Sequence, residues 1–191
     1  MTKQQRDSLA FQTAAELRAW LADHHVKASE LWVRIYKKGS ERQSVVWTDC
    51  VVEAIAHGWI DGQKQPLDEE CYLQRLTPRK LNSNWSKKNR EHAERLIAAG
   101  LMTDAGQRHV DAAKADGRWE KAYAGSSDME IPQDFLDALE RNPAAKAFFA
   151  TLDRKNLYPI YYRLHTAKRP ETRAKRLMSM LDQLARGERF H

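Results

Sequence analysis

Between residues 59 and 89 the side chains of Trp59, Asp61, Arg75, Arg79, Ser83, Trp85 and Asn89 could assemble a ligand cradle. The indoles would supply flat walls, Asp61 a carboxylate, the arginines guanidinium forks, and Ser83 and Asn89 neutral donors and acceptors. Such a set would take an anionic small molecule or a phosphate through charge-assisted hydrogen bonds. Ser83-Asn84-Trp85-Ser86 also leads into a helix start, whose first N–H groups can receive an anion beside Arg79, Lys87 and Lys88. The bland reading is that these groups cap the helix and brace a loop while the tryptophans fill the core, and it carries more weight.

Other chemistry is thinner. Cys50 stands in the first turn of an expected helix, where the dipole lowers a thiol pKa, but His57 is too far along that helix to act as its base. A buried, inert thiol is the simpler reading. The histidines (24, 25, 57, 92, 109, 165 and 191) form no His-x-x-x-His pair, so no metal is expected. Gly58 and Gly62 are isolated by bulky neighbours, and neither a phosphate-binding loop nor a dinucleotide fingerprint is present. No cofactor is expected, and no catalytic constellation is complete. Enzymatic activity is therefore the weaker reading.

The elements that must position these residues follow from local signals. Thr13 with Glu16 makes a capping box, and Leu17, Trp20 and Leu21 share one helical face ending near His24-His25. Glu30–Lys37 alternates as a strand, with Leu31, Val33 and Ile35 on one side. Thr48 is the expected cap of a second helix, which Gly58 ends in the left-handed conformation. Two strands, about 59–65 and 71–76, form a hairpin through the Pro66–Glu70 turn, which invites a charge pair between Asp61 and Arg75. Ser86 caps a helix running to Ala99, and Thr103 starts the next.

Ala124-Gly125-Ser126-Ser127-Asp128 reads as a linker. All six tryptophans precede it and only Phe and Tyr follow, which sets the expected domains at 1–125 and 126–191, the second docked on the first. The second is helical throughout. Asn156 is its expected third cap, with Pro159 in the first turn, and Leu177, Leu181 and Leu184 stripe the last helix. The expected fold class is α+β: a small, mostly antiparallel sheet with helices, then an all-helical module.

The formal charge is +6. From Arg154 to Arg189 ten cations face three acids, and from Arg75 to Arg95 seven face two. Lys168, Arg169, Arg173 and Arg176 would lie on one basic face opposite the leucine stripe, a possible track for phosphates and so a nucleic-acid reading. No apolar run approaches the roughly 20 residues that span a bilayer, and Met1–Ser8 lacks the apolar core of a signal peptide. Two cysteines make no disulfide framework. The expectation is a reduced, cytoplasmic protein without membrane insertion.

The chain resembles the YdeI/OmpD-associated, or bacteriocin-protection, family. The resemblance is carried by Glu30-Leu31-Trp32-Val33 with Lys37-Lys38, Gly58-Trp59-Ile60-Asp61-Gly62, Leu76-Thr77-Pro78-Arg79, Ser83-Asn84-Trp85-Ser86, Asp116-Gly117-Arg118-Trp119 and the 167–176 run. It implies a bacterial α+β protein, an association with an outer-membrane porin and protection against bacteriocins, with no agreed reaction. The leading expectation is thus a non-enzymatic binding or stress-protection protein acting on a protein or small ligand. The alternatives are a nucleic-acid binder using 75–95 and 168–176, and an enzyme or sensor near Trp59, Arg75 and Trp85.

Overall fold

The Thr13 hydroxyl accepts the Glu16 N–H at 3.3 Å, and Glu16 reaches back to the Gln12 N–H at 2.8 Å, so the first helix begins where its side chains can replace missing backbone partners. In the computed structural model, which describes residues 7–190, this helix is α1 (Ala14–His24), with Leu17 and Leu21 buried. Met1–Arg6 and His191 lie outside the described residues, and with them most of the leader reading and one histidine. The chain forms two compact units, 1–121 and 122–191.

In the first unit β1 (Leu31–Tyr36), β2 (Trp59–Pro66) and β3 (Cys71–Pro78) make an antiparallel sheet in the order β1-β3-β2. Leu31, Val33 and Ile35 join Leu17, Leu21, Cys50, Ala54, Trp59 and Leu76 in one core, as the strand's alternation requires. Asp68 makes the hairpin turn by accepting the Glu70 and Cys71 N–H groups, each at 2.8 Å. The β2–β3 register shifts between Asp61 and Lys64, and the buried Gln74 amide donates to the Gly62 carbonyl at this bulge.

Helix α2 (Trp47–Ala56) starts ahead of the expected Thr48 cap. Asp49 accepts the Val46 N–H at 2.9 Å, so the acid in the first turn sets the boundary rather than the threonine. Gly58 then turns the chain at φ +73°. A Cβ on Gly58 would lie 2.6 Å from the Ala105 carbonyl oxygen, and one on Gly106 2.5 Å from that of Ala56. These two glycines let α4 (Asp104–Ala115) rest its backbone on the end of α2. Thr103 closes the junction, its hydroxyl 2.6 Å from the Ala56 carbonyl. Between them α3 (Lys87–Ala98) begins at Ser86, whose hydroxyl accepts the Asn89 N–H at 3.0 Å.

The second unit contains α5 (Gln133–Glu140), α6 (Pro143–Phe149), α7 (Arg154–His165) and α8 (Pro170–Ala185). Phe135, Leu139, Ile160, Leu164, Met180, Leu181 and Leu184 form its core. Asn156 does not cap α7. Asp153 does, accepting the Asn156 N–H at 2.9 Å, so Pro159 lies inside the helix rather than in its first turn. Asp competes better here because its carboxylate both caps and answers the positive end of the helix. The architecture is α+β, with the sheet in the first part and helices alone in the second.

Candidate functional site

The bulge after Asp61 and the close α2–α4 contact bring side chains from four elements toward the end of β3. Asp61 stands opposite Leu76 in the register and accepts the Trp47 indole N–H at 3.3 Å. Burial raises its pKa, while the Trp47 bond and the nearby Arg79 charge oppose the rise. Arg79 itself is buried. Its guanidinium lies 3.9 Å over the Trp85 ring and donates to the Asn84 carbonyl at 3.1 Å. His109 comes from α4, and burial, then the charges of Arg79, Arg108 and Arg118, hold its pKa down. Trp85 meets Trp119 edge-on at 5.0 Å. Among the described residues Trp85 Nε1 and His109 Nδ1 are buried with no hydrogen-bond partner.

Other members of the proposed cradle go elsewhere. Trp59 is a core residue whose Nε1 donates to the His25 carbonyl at 3.1 Å and whose ring abuts Trp20. Arg75 makes no pair with Asp61. It adjoins Leu76 on β3, so it projects from the opposite face of the sheet, and its Nε bonds Glu30 at 2.7 Å. Asp61 faces a register partner one residue away from the arginine, and a single step along a strand is enough to put the two charges on opposite faces. Ser83 is braced through its carbonyl, which accepts from Arg118, and Asn89 through its N–H on Ser86. Lys87 and Lys88 are exposed, with Lys88 Nζ 5.4 Å from the Trp47 ring centre.

What remains is a polar seam, Trp47–Asp61–Arg79–Trp85–His109. A carboxyl pushed up and an imidazole pushed down, near one arginine, is a pattern that can move a proton. It can equally pin the β3–α3 loop, since Arg79 is engaged with both an indole face and a carbonyl. Trp47, His109, Arg118 and Trp119 were missed as site residues in the sequence reading. The signal that could have found His109 is Gly106, a glycine inside a helix pattern, which implies a close backbone approach there.

Cys50 is buried and its thiol is pushed up to about 12 by burial and the charges of Asp49 and Asp61, so the first-turn dipole does not activate it. Glu53, buried, takes a bidentate bond from Arg18 at 2.9 and 2.7 Å, and His57 Nδ1 lies 2.9 Å from the Glu53 carbonyl. Among the described residues no three of His, Cys, Asp and Glu converge as metal ligands would. The basic face of α8 is not a uniform track. Arg173 is paired with Asp134, and Arg176 donates to the Arg163 carbonyl at 2.7 Å, while Lys168 and Arg169 are exposed.

The fold and site thus define an α+β protein with a partly buried polar seam in its sheet-bearing unit and a helical second unit. Residues 9–109 match the family model described as Domain of unknown function (DUF8412), and the chain belongs to that family. Residues 128–187 match a second model, Bacteriocin-protection, YdeI or OmpD-Associated, so the resemblance read from the sequence is supported in the helical unit. No curated protein and no solved structure matches the chain.

Proposed function

We propose that this chain is a non-enzymatic binding protein of the bacteriocin-protection type, acting by holding a protein or small-ligand partner. The observation that carries the reading is the match of residues 128–187 to the Bacteriocin-protection, YdeI or OmpD-Associated family. The seam of the first unit agrees with it, because Arg79 is engaged with the Trp85 ring and the Asn84 carbonyl and so braces its own loop. The family name makes an outer-membrane porin the first protein partner to test. Among the described residues no helix is long and apolar enough to cross a membrane. A cytoplasmic location belongs to the same proposal, with Cys50 and Cys71 both free thiols.

Nucleic-acid binding through 75–95 and 168–176 is the reading this displaces. Arg75, Arg90 and Arg173 already direct their charge at Glu30, Glu94 and Asp134. The test is survival of bacteria expressing the full chain when challenged with a panel of bacteriocins. The expected outcome is a clear excess of survivors over cells lacking the chain for one or more of them. Unchanged survival across the panel overturns the proposal. Salt-sensitive binding of random DNA or RNA would instead favour the rival.

A further inference from the structure

Helix α8 carries Thr172, Lys175, Arg176 and Ser179 at spacings that put all four on one stripe of its surface. Arg163, in the last turn of α7, completes a cleft of about 280 Å³ with Met180 among its lining. No acid lines it. Arg176 is held in place by its bond to the Arg163 carbonyl at 2.7 Å, and the Arg163 guanidinium lies 5.6 Å from the Phe190 ring centre.

We propose that this cleft between α7 and α8 is a binding site for a small phosphate-bearing anion. Three basic and two hydroxyl-bearing residues line it, and among the described residues no carboxylate pairs with Arg163, Lys175 or Arg176. Neighbouring arginines differ in this respect: Arg173 is held by Asp134 and Arg186 by Glu188. An uncompensated cluster of cations is costly through mutual repulsion and gains most from an anion in its midst.

The donor set selects the anion. A guanidinium offers a fork for two oxygens, an ammonium three donors, and each hydroxyl one more. A carboxylate has two oxygens to receive them, whereas a phosphate monoester has three at its terminus and a larger charge. The cleft volume lies just under the roughly 300 to 1,000 Å³ of ordinary small-molecule pockets, which suits a phosphate with a short organic group. A nucleic-acid strand would need the positive track to continue past the cleft, and Asp134 and Glu188 neutralise the arginines on that course. The inference does not rest on the protection reading, and its test reads binding rather than survival.

The probes are inorganic phosphate, glycerol 3-phosphate and acetate, titrated into the isotope-labelled full chain and followed by nuclear magnetic resonance. Vesicles with and without phosphatidic acid form a second arm. Both phosphates should perturb Thr172, Lys175, Arg176 and Ser179 at concentrations up to about 10 mM, with acetate at least about tenfold weaker. Lys175→Glu should weaken binding by about tenfold or more while its spectrum stays folded, and Lys168→Glu, the same charge change on the exposed surface outside the cleft, by less than about twofold. Perturbation by soluble phosphates assigns the group to a free molecule, and Lys175-dependent retention on phosphatidic-acid vesicles assigns it to a lipid headgroup. The proposal fails if neither arm shows binding, if acetate binds as well as phosphate, or if both lysine variants weaken binding equally.

Discussion

In the first unit Glu53, His57, Gln74, Arg79 and His92 are all buried, whereas among the described residues of the second the buried polar side chain is Asn156. The two units solve opposite problems. A sheet with helices against it leaves room for Glu53 to meet Arg18, for Gln74 to answer a bulge and for Arg79 to lie on Trp85. A partner spares each such group the cost of about 1–3 kcal/mol that a buried polar atom carries without one. A four-helix unit satisfies its backbone within its own helices and fills its middle with Leu, Phe and Met. Its charges stay at the surface, where those not held by a carboxylate remain available to a ligand. A dense array of polar residues therefore marks structure in one unit, and a sparser one marks a candidate binding surface in the other.

The strongest way to break this contrast is through the cores. Trp85→Ala removes the surface on which Arg79 lies and should cost about 3–5 kcal/mol, read as a lower urea midpoint by tryptophan fluorescence. A cost under about 1 kcal/mol would mean that Arg79 does not depend on the indole. Leu184→Ala, at a fully buried position of the second unit, should cost about 2–5 kcal/mol there. All six tryptophans precede residue 122, so folded-state tryptophan emission should stay at the wild-type maximum while helical ellipticity is lost earlier. A shifted emission maximum would show that the helical core supports the first unit's packing.

Acidification separates the units next. Burial lowers the pKa of His57, His92 and His109, all in the first unit, below 6.5. The unfolded chain then takes up protons first, so stability is full above about 6.5 and falls as pH drops from there toward the folded values. Asp61, raised by burial, works with the opposite sign at lower pH. In the second unit the depressed carboxyls of Asp134 and Asp153 lose their contribution only as pH falls below 3.8. The fluorescence midpoint in urea should decline between pH 7 and 5, and a flat profile would remove the buried histidines from the account. The smallest effect belongs to Arg75→Ala. Its pair with Glu30 is over a third exposed on both sides, so the loss should be under about 1 kcal/mol by the same assay. A larger loss would restore Arg75 to the buried network.

Much of the fold was legible. Thr13 with Glu16, Ser86 and Thr103 each cap the helix that their types and spacing announce. Gly58 ends α2 with the positive φ that only glycine adopts cheaply. Where the reading slipped, at Thr48 and Asn156, an acid within three residues took the work, because a carboxylate is the stronger acceptor for N–H groups at a positive helix end. The candidate site was legible in composition but not in assembly. Asp61, Arg79 and Trp85 share the seam, while Arg75 and Trp59 left it for Glu30 and the core.

The sequence by itself determined what can be settled within about four residues: caps, the hairpin turn at Asp68, the alternation of β1 and the leucine stripe of α8. Interactions at that range are few, and their geometry is set by the backbone period. Only the tertiary structure decided which face of β3 Arg75 took, that His109 would come within range of the Arg79 charge where Gly58 and Gly106 let α4 rest on the end of α2, and that Arg163 would line one cleft with Lys175 and Arg176. Those choices join residues far apart in the chain. A strand presents either face equally well, and an exposed arginine has no preferred partner until the core has fixed the elements around it.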